Sequence, residues 1–284
     1  MNRFVKAHAL GNDYLVVDLT SLSFALTPEA VRRICDRHLG VGSDGILARV
    51  SSDRADFGLR IYNPDGSEAE KSGNGLRIFA KYLYEHGFTR STRFTVETPG
   101  GIVTCVLAVV GDRVAEVTVD MGEASFWSPH IPMAGPPREV VDEPVEVEGA
   151  TVRITALTVG NPHCVVFVED LTGVDFPRLG PALERHPAFP QRTNVQFAQV
   201  LDQERVRVRI WERGAGETLA SGSSACAVAA ACVRRGFTRR DVTVEMPGGA
   251  LRIQVGEGFS LRMTGPAREV YRGEFSPEFV ETLS

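Results

Sequence analysis

Hydrophobic and polar positions fall into short, well-punctuated stretches along the chain. Residues 14–19 are apolar and β-branched and predict a strand. Residues 28–38 have helical spacing behind Thr27, a capping residue, with proline at the first helical position. Residues 57–62 alternate as a half-buried strand does. Asn63-Pro64-Asp65-Gly66-Ser67 is turn chemistry, and 74–86 predicts a helix stopped by Gly87. Strands follow at 93–97, 102–109 and 113–120, separated by Pro-Gly-Gly and Gly-Asp turns. The second half reads alike. Strands are expected at 152–158, 164–168 and 206–211, a short helix at 179–185, a long helix over 223–235, and further strands after it.

The likeness of the halves extends to residue identity. Gly11-Asn12 recurs as Gly160-Asn161, Arg60-Ile61 as Arg209-Ile210, and Ser72-Gly73 as Ser221-Gly222, all at an offset of 149. Gly87-Phe88-Thr89-Arg90 recurs as Gly236-Phe237-Thr238-Arg239 at the same offset. Val96-Glu97 with Pro99-Gly100-Gly101 returns as Val244-Glu245 with Pro247-Gly248-Gly249 after the loss of one residue. Pieces in the same order at so long a period mean a duplicated domain, since solenoid repeats span only about 20–50 residues. The expected architecture is α/β (α+β): two pseudo-symmetric domains, each a mainly antiparallel sheet wrapped around a central helix. The first spans 1–122 and the second 123–267, with 268–284 packing back on the first and the Pro- and Glu-rich 123–150 holding the crossover. The active site is expected in the interdomain cleft, a favoured place for ligands.

Composition narrows the function. The chain has 284 residues, enough for about two domains, and its 31 Lys and Arg against 36 Asp and Glu lack the basic surplus of a nucleic-acid or anionic-membrane binder. Arg234-Arg235 and Arg239-Arg240 read as solvated surface. The five cysteines are odd in number and scattered, with no disulfide framework and no metal-ligand spacing, as expected of reduced thiols in a cytoplasmic protein. Asp13 and Asp18 interrupt the segment where a signal peptide would need an apolar core.

The chemistry concentrates at two loop-to-helix junctions, Ser72-Gly73-Asn74 and Ser221-Gly222-Ser223. A helix start offers N–H groups without intrahelical partners and the positive end of the helix dipole, and glycine lets a ligand approach the backbone. Two such starts would hold a carboxylate or phosphate. Taken singly, each is as well explained as an ordinary N-cap. Asn12, Asn63, Asn161, Asn194, Glu212, Arg213 and His163 complete the polar candidates. Each asparagine alone fits an Asx-turn equally well. Arg213 suits either a surface ion pair with Glu212 or a bidentate clamp on a carboxylate.

These residues lie in motifs that resemble those of the diaminopimelate epimerase family, within the cofactor-independent amino-acid racemase superfamily. The motifs are His8-Ala-Leu-Gly-Asn-Asp13, Asn63-Pro-Asp-Gly-Ser67 leading to Gly73-Asn-Gly-Leu-Arg77, Gly160-Asn-Pro-His-Cys164 and Glu212-Arg-Gly-Ala-Gly-Glu-Thr218. The resemblance implies interconversion of LL- and meso-diaminopimelate, on the way to lysine and peptidoglycan, with no pyridoxal phosphate or metal, in a homodimer. It implies that Asn12, Asn63, Asn161, Asn194, Glu212 and Arg213 hold the distal end of the amino acid. The backbone amides at Gly73-Asn74 and Gly222-Ser223 would hold the carboxylate at the reacting carbon, and His163 would support the catalytic region.

The chain departs from the family at the two proton-transfer positions. The family carries a cysteine at each; here they are Ser72 and Ser221, and Ser224 stands where a glycine is usual. A helix N-terminus can lower a thiol pKa from about 8.5 to roughly 3.5–7.5, whereas a serine hydroxyl needs an adjacent base. Activity is therefore expected to be strongly reduced. Two accounts of the serines stay open: a Cys→Ser double replacement that keeps fold and binding groups, or natural serines, which Ile78, at another position where the family commonly has cysteine, favours. The alternative functions are a relative acting on another amino acid and a catalytically silent amino-acid binder.

Overall fold

A computed structural model describes residues 2–283. The chain forms two compact units, one running to Val119 and taking up the residues from Gly265 onward, the other spanning Asp120–Thr264.

In the first unit the elements are β1 (Arg3–Ala9), β2 (Asn12–Asp18), α1 (Pro28–Cys35), β3 (Ile46–Val50), β4 (Phe57–Tyr62), β5 (Glu68–Ala69), α2 (Gly73–Glu85), β6 (Arg93–Thr98) and β7 (Gly101–Val110). β8 (Arg113–Glu123) follows. The second unit repeats the series with β9 (Glu143–Val147), β10 (Ala150–Thr158), β11 (Pro162–Phe167), α3 (Phe176–Glu184), β12 (Asn194–Val200), β13 (Arg205–Glu212), β14 (Gly216–Thr218), α4 (Gly222–Arg234), β15 (Asp241–Met246), β16 (Gly249–Val255) and β17 (Ser260–Gly265). The chain ends with β18 (Arg268–Glu274) and the short α5 (Pro277–Glu281).

The pairing confirms a mixed, mainly antiparallel α+β fold. The first sheet runs β18-β1-β2-β3-β4-β6-β7-β8, parallel only at β2–β3 and β4–β6. The second runs β9-β10-β11-β12-β13-β15-β16-β17, parallel only at β11–β12 and β13–β15. Parallel neighbours need a crossover, and α1, α2, α3 and α4 are those four crossovers. The edge strand beside the first β-hairpin comes from different places: the second unit uses β9, from the stretch read as crossover, and the first uses β18, from the chain end. There Gly273 faces Phe4, and a Cβ at 273 would run into the tip of the Phe4 ring, so glycine leaves the room the ring needs.

Each sheet curls around its long helix, α2 against β1, β2 and β7, and α4 against β10, β11, β12, β15 and β16. A helix covered on all sides loses its polar face. Every residue from Ser224 to Cys232 is buried, and most are alanine or another small residue that lets strands approach closely. The short helices α1 and α3 pack on the other face, α1 through Val31 and Ile34 against Leu15 and Ile46, and α3 through Phe176 and Leu183 against Val195 and Phe197.

The helices lie where the periodicity places them, except that α1 stops at Cys35 instead of running to 38, and α3 begins earlier, at Phe176. β1, β3, β5, β9, β12, β14 and the short α5 were not expected. Turn residues flank several of them, as at Gly11-Asn12 after β1 and Gly42-Ser43-Asp44-Gly45 before β3, but β3 and β12 are buried at consecutive positions and lack the alternation of a half-buried strand. The Arg234-Arg235 pair is less solvated than expected. Arg235 pairs with Asp142 at 2.7 Å and lies over the Phe237 ring at 4.9 Å.

Candidate active site

Ser72 and Ser221 occupy the N-cap positions of α2 and α4 with nearly identical backbone geometry, φ −139°, ψ 116° and φ −139°, ψ 124°. Their side chains differ. Ser72 Oγ accepts the Gly75 N–H at 3.0 Å, as a helix cap does, and lies 3.4 Å from the Tyr14 hydroxyl. Ser221 makes no such cap bond and is 5 % exposed.

In the first unit a chain of polar side chains leads away from α2. The guanidinium of Arg77, wholly buried, donates to the Gly73 carbonyl at 3.2 Å, the Pro266 carbonyl at 3.3 Å and Asn74 Oδ1 at 2.9 Å. Asn74 Nδ2 donates to Asn12 Oδ1 at 3.1 Å, and Asn12 Nδ2 to Asp44 Oδ2 at 3.0 Å. Asp44 also accepts the Asp13 N–H and the Arg37 guanidinium. Burial pushes the neighbouring Asp13 carboxyl up, but hydrogen bonds and charge from Arg37 and Lys6 outweigh it and hold it below the usual carboxylate range. Asn63 lies in its own turn, where Nδ2 donates to Ser67 Oγ at 3.0 Å.

In the second unit the relay is neutral. Gln196 Nε2, buried on β12, donates to Ser224 Oγ on α4 and to His163 Nδ1, both at 3.0 Å. With Nδ1 accepting, the imidazole carries its proton on Nε2, which donates to Asn161 Oδ1 at 3.0 Å. Burial, helped by the positive charge of Arg213, pushes the His163 pKa down to about 3, so the ring is uncharged at neutral pH. With both nitrogens committed, it orients Asn161.

Asn194, first residue of β12, bridges two loops: Nδ2 donates to the Pro162 carbonyl at 2.9 Å, and Oδ1 accepts the Arg213 N–H at 3.0 Å. Glu212 ends β13 half-buried, and Ser223 is half-buried in the first turn of α4. The exposed Arg213 side chain donates to the Gln191 carbonyl at 3.2 Å. Below this loop sits Glu184, 2 % exposed, accepting the Gly214 N–H at 2.8 Å, Trp211 Nε1 at 2.9 Å and Arg192. Burial alone would raise its pKa; those three partners hold it below the ordinary value.

The first unit therefore gathers Asn12, Ser72, Gly73 and Asn74, and the second gathers Asn161 and His163 near the start of α4, with Asn194 against Arg213. Sequence reading missed Tyr14, Asp44, Arg77, Glu184 and Gln196. Arg77 and Gln196 carried a usable signal, being polar residues inside otherwise apolar helix and strand patterns. All five cysteines are buried, and burial raises the thiols of Cys35, Cys105, Cys164 and Cys232, those of Cys105 and Cys232 to about 12. None of these four supplies a thiolate. Among the described residues no group of three or more His, Cys, Asp or Glu is placed to hold a metal, and no helix is long and apolar enough to cross a membrane.

Comparison with known proteins gives the family. The family model described as diaminopimelate epimerase matches residues 4–127 and 155–270. The diaminopimelate epimerase of Pelotomaculum thermopropionicum is 50 % identical over 274 residues, covering 96 % of this chain and 98 % of the relative. Diaminopimelate epimerase 2 of a Nostoc species is 47 % identical over 284 residues, covering 99 % of each. Among solved structures, a hydroxyproline epimerase from Agrobacterium vitis superposes with a TM-score of 0.71 at 17 % identity, covering 96 % of this chain and 90 % of that one. A probable proline racemase from Agrobacterium radiobacter gives 0.71 at 15 %, covering 97 % and 93 %. At such identities the superpositions speak for the fold alone.

Proposed function

The chain belongs to the diaminopimelate epimerase family of amino-acid epimerases, and we propose that it binds 2,6-diaminopimelate and interconverts the LL and meso forms slowly, with Ser72 and Ser221 at the two proton-transfer positions. The observation that carries this reading is the retention of the family's motif residues, held in place by buried partners, around two helix starts of matching backbone geometry.

In this reading the first-turn N–H groups at Gly73-Asn74 and Gly222-Ser223 hold the carboxylate on the reacting carbon, and the helix dipoles stabilise the negative charge that develops there as the α-proton leaves. One serine takes that proton and the other delivers one to the opposite face. Asn12, Asn63, Asn161, Asn194, Glu212 and Arg213 hold the distal amino-acid end. The serines limit the rate. Neither hydroxyl is ionised at neutral pH without an adjacent base, and His163 has both nitrogens engaged with other partners.

A silent binder of the same amino acid is the second reading, favoured by Ser72 Oγ being taken up as a helix cap. Deuterium wash-in at the α-carbon of diaminopimelate in D₂O separates the two. Slow exchange supports the epimerase, whereas calorimetric binding with no exchange at high protein concentration supports the binder. A homodimer belongs to the same proposal and is read by light scattering on the purified protein.

A further inference from the structure

The polar chain of the first unit has a direction. Each link donates the same way, from the Arg77 guanidinium to Asn74, from Asn74 to Asn12, and from Asn12 to the Asp44 carboxylate. A cation that only donates stands at one end and an anion that only accepts at the other. Neither amide can flip without setting donor against donor or acceptor against acceptor. Arg77 is anchored on the Gly73 and Pro266 carbonyls, so the start of the chain is tied to the first turn of α2.

The two amides serve different ends of the amino acid in the function proposed above, on which this inference rests. Asn74 stands at the helix start assigned to the reacting carboxylate, and Asn12 belongs to the distal clamp. A single 3.1 Å hydrogen bond joins them. We propose that Arg77 and Asp44 are positioning residues which, by locking Asn74 and Asn12 to each other, set the distance between the two ends of the accepted amino acid and so select a long dicarboxylic diamino acid over a shorter or singly charged one.

The second unit is built differently. Cys226 takes the place of Arg77 in the repeat, and Asn161 is oriented through the neutral Gln196–His163 pair.

The test uses Asp44→Ala, at a half-exposed loop position, beside Arg77→Lys, which keeps the charge but loses the planar fork that reaches several acceptors at once. Two properties are read on the full-length protein: the side-chain amide resonances of Asn12 and Asn74, and affinity for meso-diaminopimelate and for lysine, which keeps one amino-acid end and lacks the distal carboxylate. In Asp44→Ala the amide resonances of both asparagines are expected to move, with diaminopimelate weakened roughly tenfold and lysine held within about twofold. Equal weakening of both ligands would reveal a general structural role and overturn the proposal. So would unmoved amide resonances, whether or not any ligand binds. Failure of the unsubstituted chain to bind diaminopimelate would instead overturn the substrate reading itself, and the selection with it.

Discussion

The starts of α2 and α4 share a backbone and differ in what surrounds it. At the first, Gly75 lies in the turn, and a Cβ there would come 2.8 Å from Leu47. At the second, the repeat-equivalent residue is Ser224, and the residue equivalent to Leu47 is Gln196, which donates to the Ser224 hydroxyl. Tyr14, beside Ser72, is matched by His163, and Arg77 by Cys226. The changes come in pairs. A hydroxyl in a dry helix interior needs a polar neighbour, and an apolar neighbour needs a bare glycine, so one member of such a pair cannot drift alone. Duplication preserved the conformation of the two junctions while their polar shells became a charged chain in one half and a neutral relay in the other.

The largest effect expected from disturbing this comparison is catalytic. Ser72→Cys with Ser221→Cys should raise α-proton exchange by about 10² or more, since each acid–base group contributes about 10²–10⁴-fold, and either single change should give much less. Deuterium wash-in measures it; a double variant no faster than its parent would count against serine as the limiting feature.

Making the second half resemble the first in one member only should cost stability. Gln196→Leu leaves the Ser224 hydroxyl and His163 Nδ1 buried without their donor, at about 2–4 kcal/mol for two groups. Adding Ser224→Gly should return part of that loss, and urea denaturation of the four proteins in the cycle reads the coupling. Strict additivity would show that the pairing carries no energy.

His163 provides a pH test. Its folded pKa lies far below the unfolded value of about 6.5, so the unfolded chain binds the proton first. Its contribution is fully present above about pH 6.5 and is lost as pH falls towards about 3, at up to about 1.4 kcal/mol per pH unit. Stability followed from pH 7 to 4.5 should fall more steeply in the parent than in His163→Gln; parallel curves would show that the ring is not held neutral.

The smallest effect distinguishes the two caps. Ser72→Ala removes a cap bond and should cost about 1 kcal/mol, whereas Ser221→Ala should stay within about 0.5 kcal/mol. Equal costs would erase the asymmetry between the helix starts.

The repeat, the long helices and both serine junctions were legible in the residues, because identity at fixed offset, helical period and Gly-rich punctuation are local signals. Asp44, Glu184 and Gln196 were not. Glu184 looks like any charged residue on a short helix until Trp211, Arg192 and Gly214 converge on it from 8 to 30 positions away. Arg77 stood in plain view in the Gly73-Asn-Gly-Leu-Arg77 motif, yet its burial and its bonds to Asn74 and Pro266 follow from a sheet curling around α2.

The sequence by itself determined the duplication and the family, and it carries a serine at each of the two loop-to-helix junctions. Only the tertiary structure decided that Ser72 is a working cap and Ser221 is not, that His163 is a neutral orienting group, and which way each asparagine amide faces. Those properties belong to hydrogen-bond partners and burial, and a residue acquires them from chain brought beside it by folding rather than from its neighbours in sequence.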